Sequence, residues 1–228
     1  DSAAIQAASD AAQAYGGGTV VFPRPSAFYK CDNQIDLTRY QGITWVGNGG
    51  RTEIKDDDSF CQLVYTGTAS PFIQIRRTRG FLGIGIDFSY NNNSFTGDLV
   101  STDFTNTPGG DVTYNPQFIN CSCASTSPSI HSARSGMYLA GAVRANIKQC
   151  GFYWMDYGII GYSADALSVP FSTAVTVQQN WFNELDVFGI ANPHSQWSIL
   201  QNVFEPLAGG GAAGGIATGI LLGGRPDN

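Results

Sequence analysis

Two carboxylates, Asp156 and Asp186, each stand four residues beyond a phenylalanine, in Phe152-Tyr-Trp-Met-Asp156 and Phe182-Asn-Glu-Leu-Asp186. If successive units of chain stack at the strand spacing, these carboxyl groups come to lie one above the other, about 5 Å apart. That separation serves retaining glycoside hydrolysis, in which one carboxyl is the nucleophile and the other the acid/base. Crowding also raises the pKa of one member, keeping a proton available near neutrality. Glu184 and Glu205 lie near the same edge and offer a second group at the longer, inverting separation. Tyr153, Trp154, Tyr157 and Trp181 accompany the acids, and aromatic faces of this kind stack on sugar rings. The competing reading makes the acids turn residues on a solvated face and the aromatics filler between stacked units.

Stacked units are what the chain supplies. Four hexapeptides align: Phe118-Ile-Asn-Cys-Ser-Cys123, Ile147-Lys-Gln-Cys-Gly-Phe152, Val177-Gln-Gln-Asn-Trp-Phe182 and Ile199-Leu-Gln-Asn-Val-Phe204. The first position is apolar, the third a carboxamide, the fourth Cys or Asn, and the sixth Cys or Phe. The sixth positions fall 29, 30 and 22 residues apart. A looser marker, Gly followed by an apolar residue, recurs at Gly136-Met137, Gly158-Ile159, Gly189-Ile190 and Gly219-Ile220. A period of 20 to 30 residues built from short strands indicates a solenoid whose equivalent residues form columns. Apolar columns make the core, while the third-position amides, Gln179 among them, are expected to hydrogen-bond along their column as an amide ladder. The leucine pattern of a leucine-rich horseshoe is missing.

Ahead of these units, Ile5, Ala8, Ala12 and Tyr15 fall at helical spacing in an alanine-rich stretch that Gly16-Gly17-Gly18 terminates. Thr19-Val-Val-Phe22 then reads as a strand stopped by Pro23. A small apolar helix over residues 1–15 suits the task of covering one end of the coils at 19–228.

Composition narrows the partners. Charged residues are only 13% of the chain, about half the usual share, so the surface is built from Ser, Thr, Asn, Gln and Gly. Such a surface suits neutral polar ligands such as glycans. Net charge is −6 and no basic run occurs, which argues against nucleic acid; Arg76, Arg77 and Arg79 are the best arginine cluster. No apolar run approaches a membrane span, so no membrane insertion is expected. Five cysteines without a zinc-type spacing read as buried free thiols made in a reducing cytosol. His131, in a Ser-rich loop, and His194, after a proline, have no companion at ligand or triad spacing. Asp56-Asp57-Asp58 could touch calcium, but a calcium site needs six or more oxygens from several places, so a solvated loop and no cofactor are expected.

The stretch A-A-I-Q-A-A-S-D-A-A-Q-A-Y-G-G-G-T-V-V-F-P from Ala3 resembles the entry motif of the pectate-lyase-like superfamily of right-handed β-helices. Ile43-Thr-Trp-Val-Gly-Asn-Gly49 with Thr52-Glu-Ile54 resembles its first coil, and the repeated hexapeptides resemble later coils. The resemblance implies an all-β fold: one single-stranded right-handed parallel β-helix over residues 1–228 with an N-terminal capping helix. It is specific for fold, since the superfamily holds lyases, hydrolases, epimerases and bacteriophage tailspikes. The Gly-His-Gly motif of polygalacturonase-type hydrolases is missing, Asp57-Asp58 lies in an early loop, and the arginine and calcium-binding acids of pectate lyases are not recognisable; pectin is therefore disfavoured. The chain begins inside the entry motif and ends on a strand-like Gly219-Ile-Leu-Leu-Gly-Gly224, which reads as a fragment or a solenoid whose end meets another domain or chain. The leading expectation is a tailspike or tail-fibre β-helix, homotrimeric and carried on a virion tail, that recognises and depolymerises a bacterial surface polysaccharide. The alternatives are a secreted, monomeric polysaccharide lyase or hydrolase and a non-catalytic structural or adhesive β-helix.

Overall fold

Short β-branched and aromatic runs broken by Gly, Asn and Ser leave the chain to form brief strands. The computed structural model describes residues 1–48, 61–102, 112–161, 172–191, 196–205 and 218–221. The strands visit three seven-stranded sheets in fixed rotation, and each pairs in parallel with its equivalents one circuit away. The first circuit is Gly18–Val21, Tyr29–Cys31 and Ile35–Asp36, and the seventh is Ser198–Leu200, Val203–Glu205 and Thr218–Leu221. A small extra sheet pairs Thr113–Tyr114 with Ala142–Val143. The described residues are thus mostly β, with all-parallel sheets and one N-terminal helix, an arrangement consistent with a parallel β-helix.

The sequence repeat becomes columns. Phe118, Ile147, Val177 and Ile199 are in register along the first sheet, and Cys123, Phe152, Phe182 and Phe204 along the second. The phenylalanine rings of the last three circuits stack at 4.9 Å between centroids, with interplanar angles of 7° and 9°. The recurrent glycines face this stack: a Cβ on Gly158 would lie 2.5 Å from Phe182 Cδ1, and one on Gly189 would lie 2.4 Å from Phe204 Cε1. The residues after Gly136, Gly158 and Gly189 form the buried third-sheet column Met137, Ile159 and Ile190, which continues to the exposed Ile220.

The third-position amides sit at the corner between the first and second sheets, where the backbone turns left-handed at Asn120, Gln149, Gln179 and Gln201 (φ 52°, 55°, 57° and 54°). A residue with a Cβ carries a cost there that asparagine meets with least strain. Gln149, Gln179 and Gln201 are exposed, and the one described link between neighbours is Gln179 Nε2–H to Gln201 Oε1 at 3.4 Å. The buried ladder runs one residue later. Asn180 Nδ2 donates to Ile147 O (3.1 Å) and Asn202 Oδ1 (3.0 Å), and its Oδ1 accepts from Cys150 N–H (2.8 Å). Gln179 thus makes one exposed rung with Gln201, while the buried ladder is carried by Asn180, because the fourth position points inward where no water can satisfy an amide. Asn180→Ala would leave the Cys150 N–H and the Ile147 carbonyl short of partners, a loss of about 3 kcal/mol. Urea unfolding should show it as a lower midpoint at unchanged slope. Asn180→Cys should cost less, since Cys121 and Cys150 occupy the same column in the two preceding circuits. All five cysteines are buried and free.

The helix spans Ser2–Ala14. Ser2, Ile5 and Ser9 are its buried residues, while Ala8 is exposed and Tyr15 is 91% exposed, so the face differs from the one the apolar spacing predicts. Polar anchoring decides the rotation. Ser9 Oγ accepts from the buried Trp45 indole N–H (3.1 Å), and Ser2 Oγ accepts from the backbone N–H groups of Asp32 and Asn33 (2.9 and 3.0 Å).

Candidate functional site

The corner between the second and third sheets carries the acids. In the fifth circuit it follows Gly151–Tyr153 and holds Trp154 and Asp156; in the sixth it follows Trp181–Asn183 and holds Glu184 and Asp186. Trp154 and Glu184 take left-handed backbone conformations (φ 59° and 51°), so both corners bend alike. The Asp186 N–H donates to Met155 O (2.9 Å), and the N–H groups of Val187 and Phe188 donate to Asp156 O (3.0 and 3.2 Å). These bonds set Asp186 beside Asp156 on adjacent circuits. Burial, and then the Asp186 charge, push the Asp156 carboxyl from its ordinary 3.8 up to about 6, while His131 pulls it the other way.

Trp154 Nε1–H donates to Glu184 Oε2 (2.8 Å), which engages that carboxylate. Glu205 is elsewhere: it pairs in register with Asn183, on the strand rather than at the corner. The aromatics are placed mostly inside the wall. Tyr153, Trp154 and Tyr157 are 1%, 5% and 5% exposed, so their rings present little face to a ligand. Trp181 is half-buried, and its indole N–H is buried without a partner among the described residues.

His131 completes the group. It sits on a strap, residues 126–134, that leaves the second sheet after Ser122–Ser125 in the fourth circuit and rejoins the third at Ser135–Tyr138. The strap reaches two circuits along the stack, so that His131 Nδ1 lies 3.0 Å from Asp186 Oδ1. Its base is fixed by the Tyr90 hydroxyl, which donates to Trp154 O (2.7 Å) and accepts from the Ala133 N–H (3.2 Å). Ser132 Oγ–H also donates to Asn92 O (3.1 Å). At the exit, Arg134 grips the buried Asp98 through two bonds of 2.9 and 2.6 Å. Fifty-five residues separate His131 from Asp186, so no local spacing could announce the pair. The Ser-rich run around it was the one sequence signal of a tethered loop.

Comparison with protein-family models, with curated proteins and with solved structures finds no match. The chemistry must therefore be read from the geometry. His131 Nε2 lies 2.9 Å from the Pro128 carbonyl, which can only accept, so this nitrogen carries a proton. An imidazole so occupied cannot serve as base to a serine nucleophile, which sets the site apart from a Ser-His-Asp arrangement. Among the described residues no group of three or more His, Cys, Asp or Glu side chains is disposed to hold a metal ion. His194 and Asp56 to Asp58 lie outside the described residues. What the corner offers is a carboxylic acid that keeps its proton to about pH 6, beside a carboxylate held by an imidazole.

Proposed function

We propose that this chain is a right-handed parallel β-helix of the pectate-lyase-like kind, a tailspike-type protein that recognises and depolymerises a bacterial surface polysaccharide. The observation that carries the catalytic part is the pairing of Asp156, with its raised pKa, and Asp186 on adjacent corners. Asp156 donates its proton to the glycosidic oxygen as the bond to the anomeric carbon breaks. Asp186 attacks that carbon as a carboxylate and forms a glycosyl ester. Ionised Asp156 then takes a proton from water, whose oxygen displaces Asp186 and restores both groups. Trp181 is the half-buried aromatic left to stack on a sugar. The low charge of the surface and the free thiols support a polysaccharide-binding protein made in a cytosol before release on a virion. A homotrimer follows from the same resemblance.

The test is incubation with a panel of capsular and O-antigen polysaccharides, reading reducing ends and ultraviolet absorbance. New reducing ends without absorbance near the ultraviolet edge support hydrolysis; absorbance would place the reaction among eliminations. Binding without cleavage would favour the adhesive alternative, and a monomer by light scattering would overturn the trimer.

A further inference from the structure

We propose that His131 is the positioning residue of this site: it shares a single proton with Asp186 and latches the 126–134 strap across the acidic corner for as long as that proton stays. The inference concerns the same site as the proposed cleavage, and its test needs no glycan.

Hydrogen-bond chemistry forces the shared proton. Nε2–H is committed to Pro128 O, so the neutral ring would turn a bare Nδ1 toward Asp186. An ionised carboxylate only accepts, and two acceptors at 3.0 Å do not bond. The contact therefore exists when imidazolium meets carboxylate, or when neutral imidazole meets carboxylic acid. Either way one proton lies between them, and removing it leaves lone pair facing negative charge.

The strap's remaining contacts explain why this bond is a latch. Tyr90, Asn92 and Asp98, which hold it at both ends, belong to the third circuit, and the fifth circuit holds its exit through the Asp156 N–H to Ala133 O (3.1 Å) and the Tyr157 N–H to Arg134 O (2.9 Å). The bond to Asp186 is the one described that reaches the sixth. His131 is faced by Asp186 and by Asp156 from the two corners, and the Tyr90 hydroxyl bonds the neighbouring Ile130 carbonyl (3.2 Å); Glu184 is occupied by Trp154. When ionised, Asp156 adds negative charge that favours the shared proton, so the state of the acid and the state of the latch are coupled. While latched, Asp186 Oδ1 is engaged by the ring. Parting the pair frees that oxygen for a sugar.

The experiment is a pH titration of the His131 ring nitrogens by NMR in the wild type and in Asp186→Asn. Wild type should show both nitrogens protonated at low pH. Above the transition, the Nε2–H tautomer should appear together with loss of the contact, seen as shifts of the Ser132 and Ala133 amides. In Asp186→Asn the new amide N–H can donate to the bare Nδ1, so the contact should persist when the ring is neutral and the amide shifts should disappear. Identical titration and amide responses in the two proteins would overturn the shared proton. A wild-type ring that becomes the Nδ1–H tautomer would overturn it as well, and that reading stands even if the variant folds poorly. Failure of the polysaccharide panel would leave these outcomes unchanged, which separates the two proposals.

Discussion

Asp156→Asn is expected to lower polysaccharide cleavage by about 10²- to 10⁴-fold, the range lost when a positioned acid is removed. The amide keeps the shape of the corner but has no proton to give to a leaving oxygen. On the proposed mechanism the acid works in its protonated form, so cleavage should fall as pH rises past about 6. The same substitution should act on stability in the opposite sense. The folded pKa of Asp156 is raised above its ordinary 3.8, so its contribution to stability is fully present below that value and fades as pH rises through about 6. Asparagine never ionises and escapes the loss. The melting temperature of Asp156→Asn should therefore overtake that of the wild type between pH 4 and pH 7, while its activity is low throughout. A residue serving only as a surface turn would show neither effect, and full cleavage by both Asp156→Asn and Asp186→Asn would remove these acids from the mechanism.

Gly158→Ala is the substitution expected to harm the fold most for the fewest atoms added. Its Cβ would meet Phe182 Cδ1 at 2.5 Å and the carbonyl oxygen of Gly189 at 2.6 Å. The ring cannot swing away, because it is stacked at 4.9 Å on Phe152 on one side and Phe204 on the other. Overpacking of this kind costs about 3 kcal/mol, which in a chain of this size lowers the melting temperature by about 6–12 °C. Gly219→Ala is the matched control, since its nearest contact would be Phe204 at 3.7 Å, and it should melt close to wild type. Equal melting of the two variants would mean that the glycine column owes nothing to the phenylalanine stack.

The columns were legible because identical environments recur each circuit: an apolar first position and a Cys or Phe sixth position mean the same thing at Ile147 and at Val177. The same regularity let the sequence place Asp186 one circuit beyond Asp156. Misassignments came where a single feature breaks the repeat or where neighbouring positions differ in direction. Gln179 and Asn180 are both amides, and composition could not tell which one turns inward. The helix is rotated by two serines whose partners lie 30 and 36 residues away, which no apolar period records. For Tyr153 and Trp154, which neighbour the acids, spacing left both a ligand-facing and a filler reading open, and they lie covered in the wall. His131 was passed over since a strap that crosses two circuits leaves no trace in spacing.

Between the fifth and sixth circuits 15 residues separate Ile160 from Thr176, yet between the sixth and seventh only 6 separate Ala191 from Ser198. Both paths deliver the next strand in the same register, Ile147 to Val177 to Ile199. Length at a corner is therefore invisible to the strands on either side. A corner can be lengthened, shortened or transplanted from another protein while the stack continues undisturbed, so the outer surface can change rapidly on a frame that stays the same.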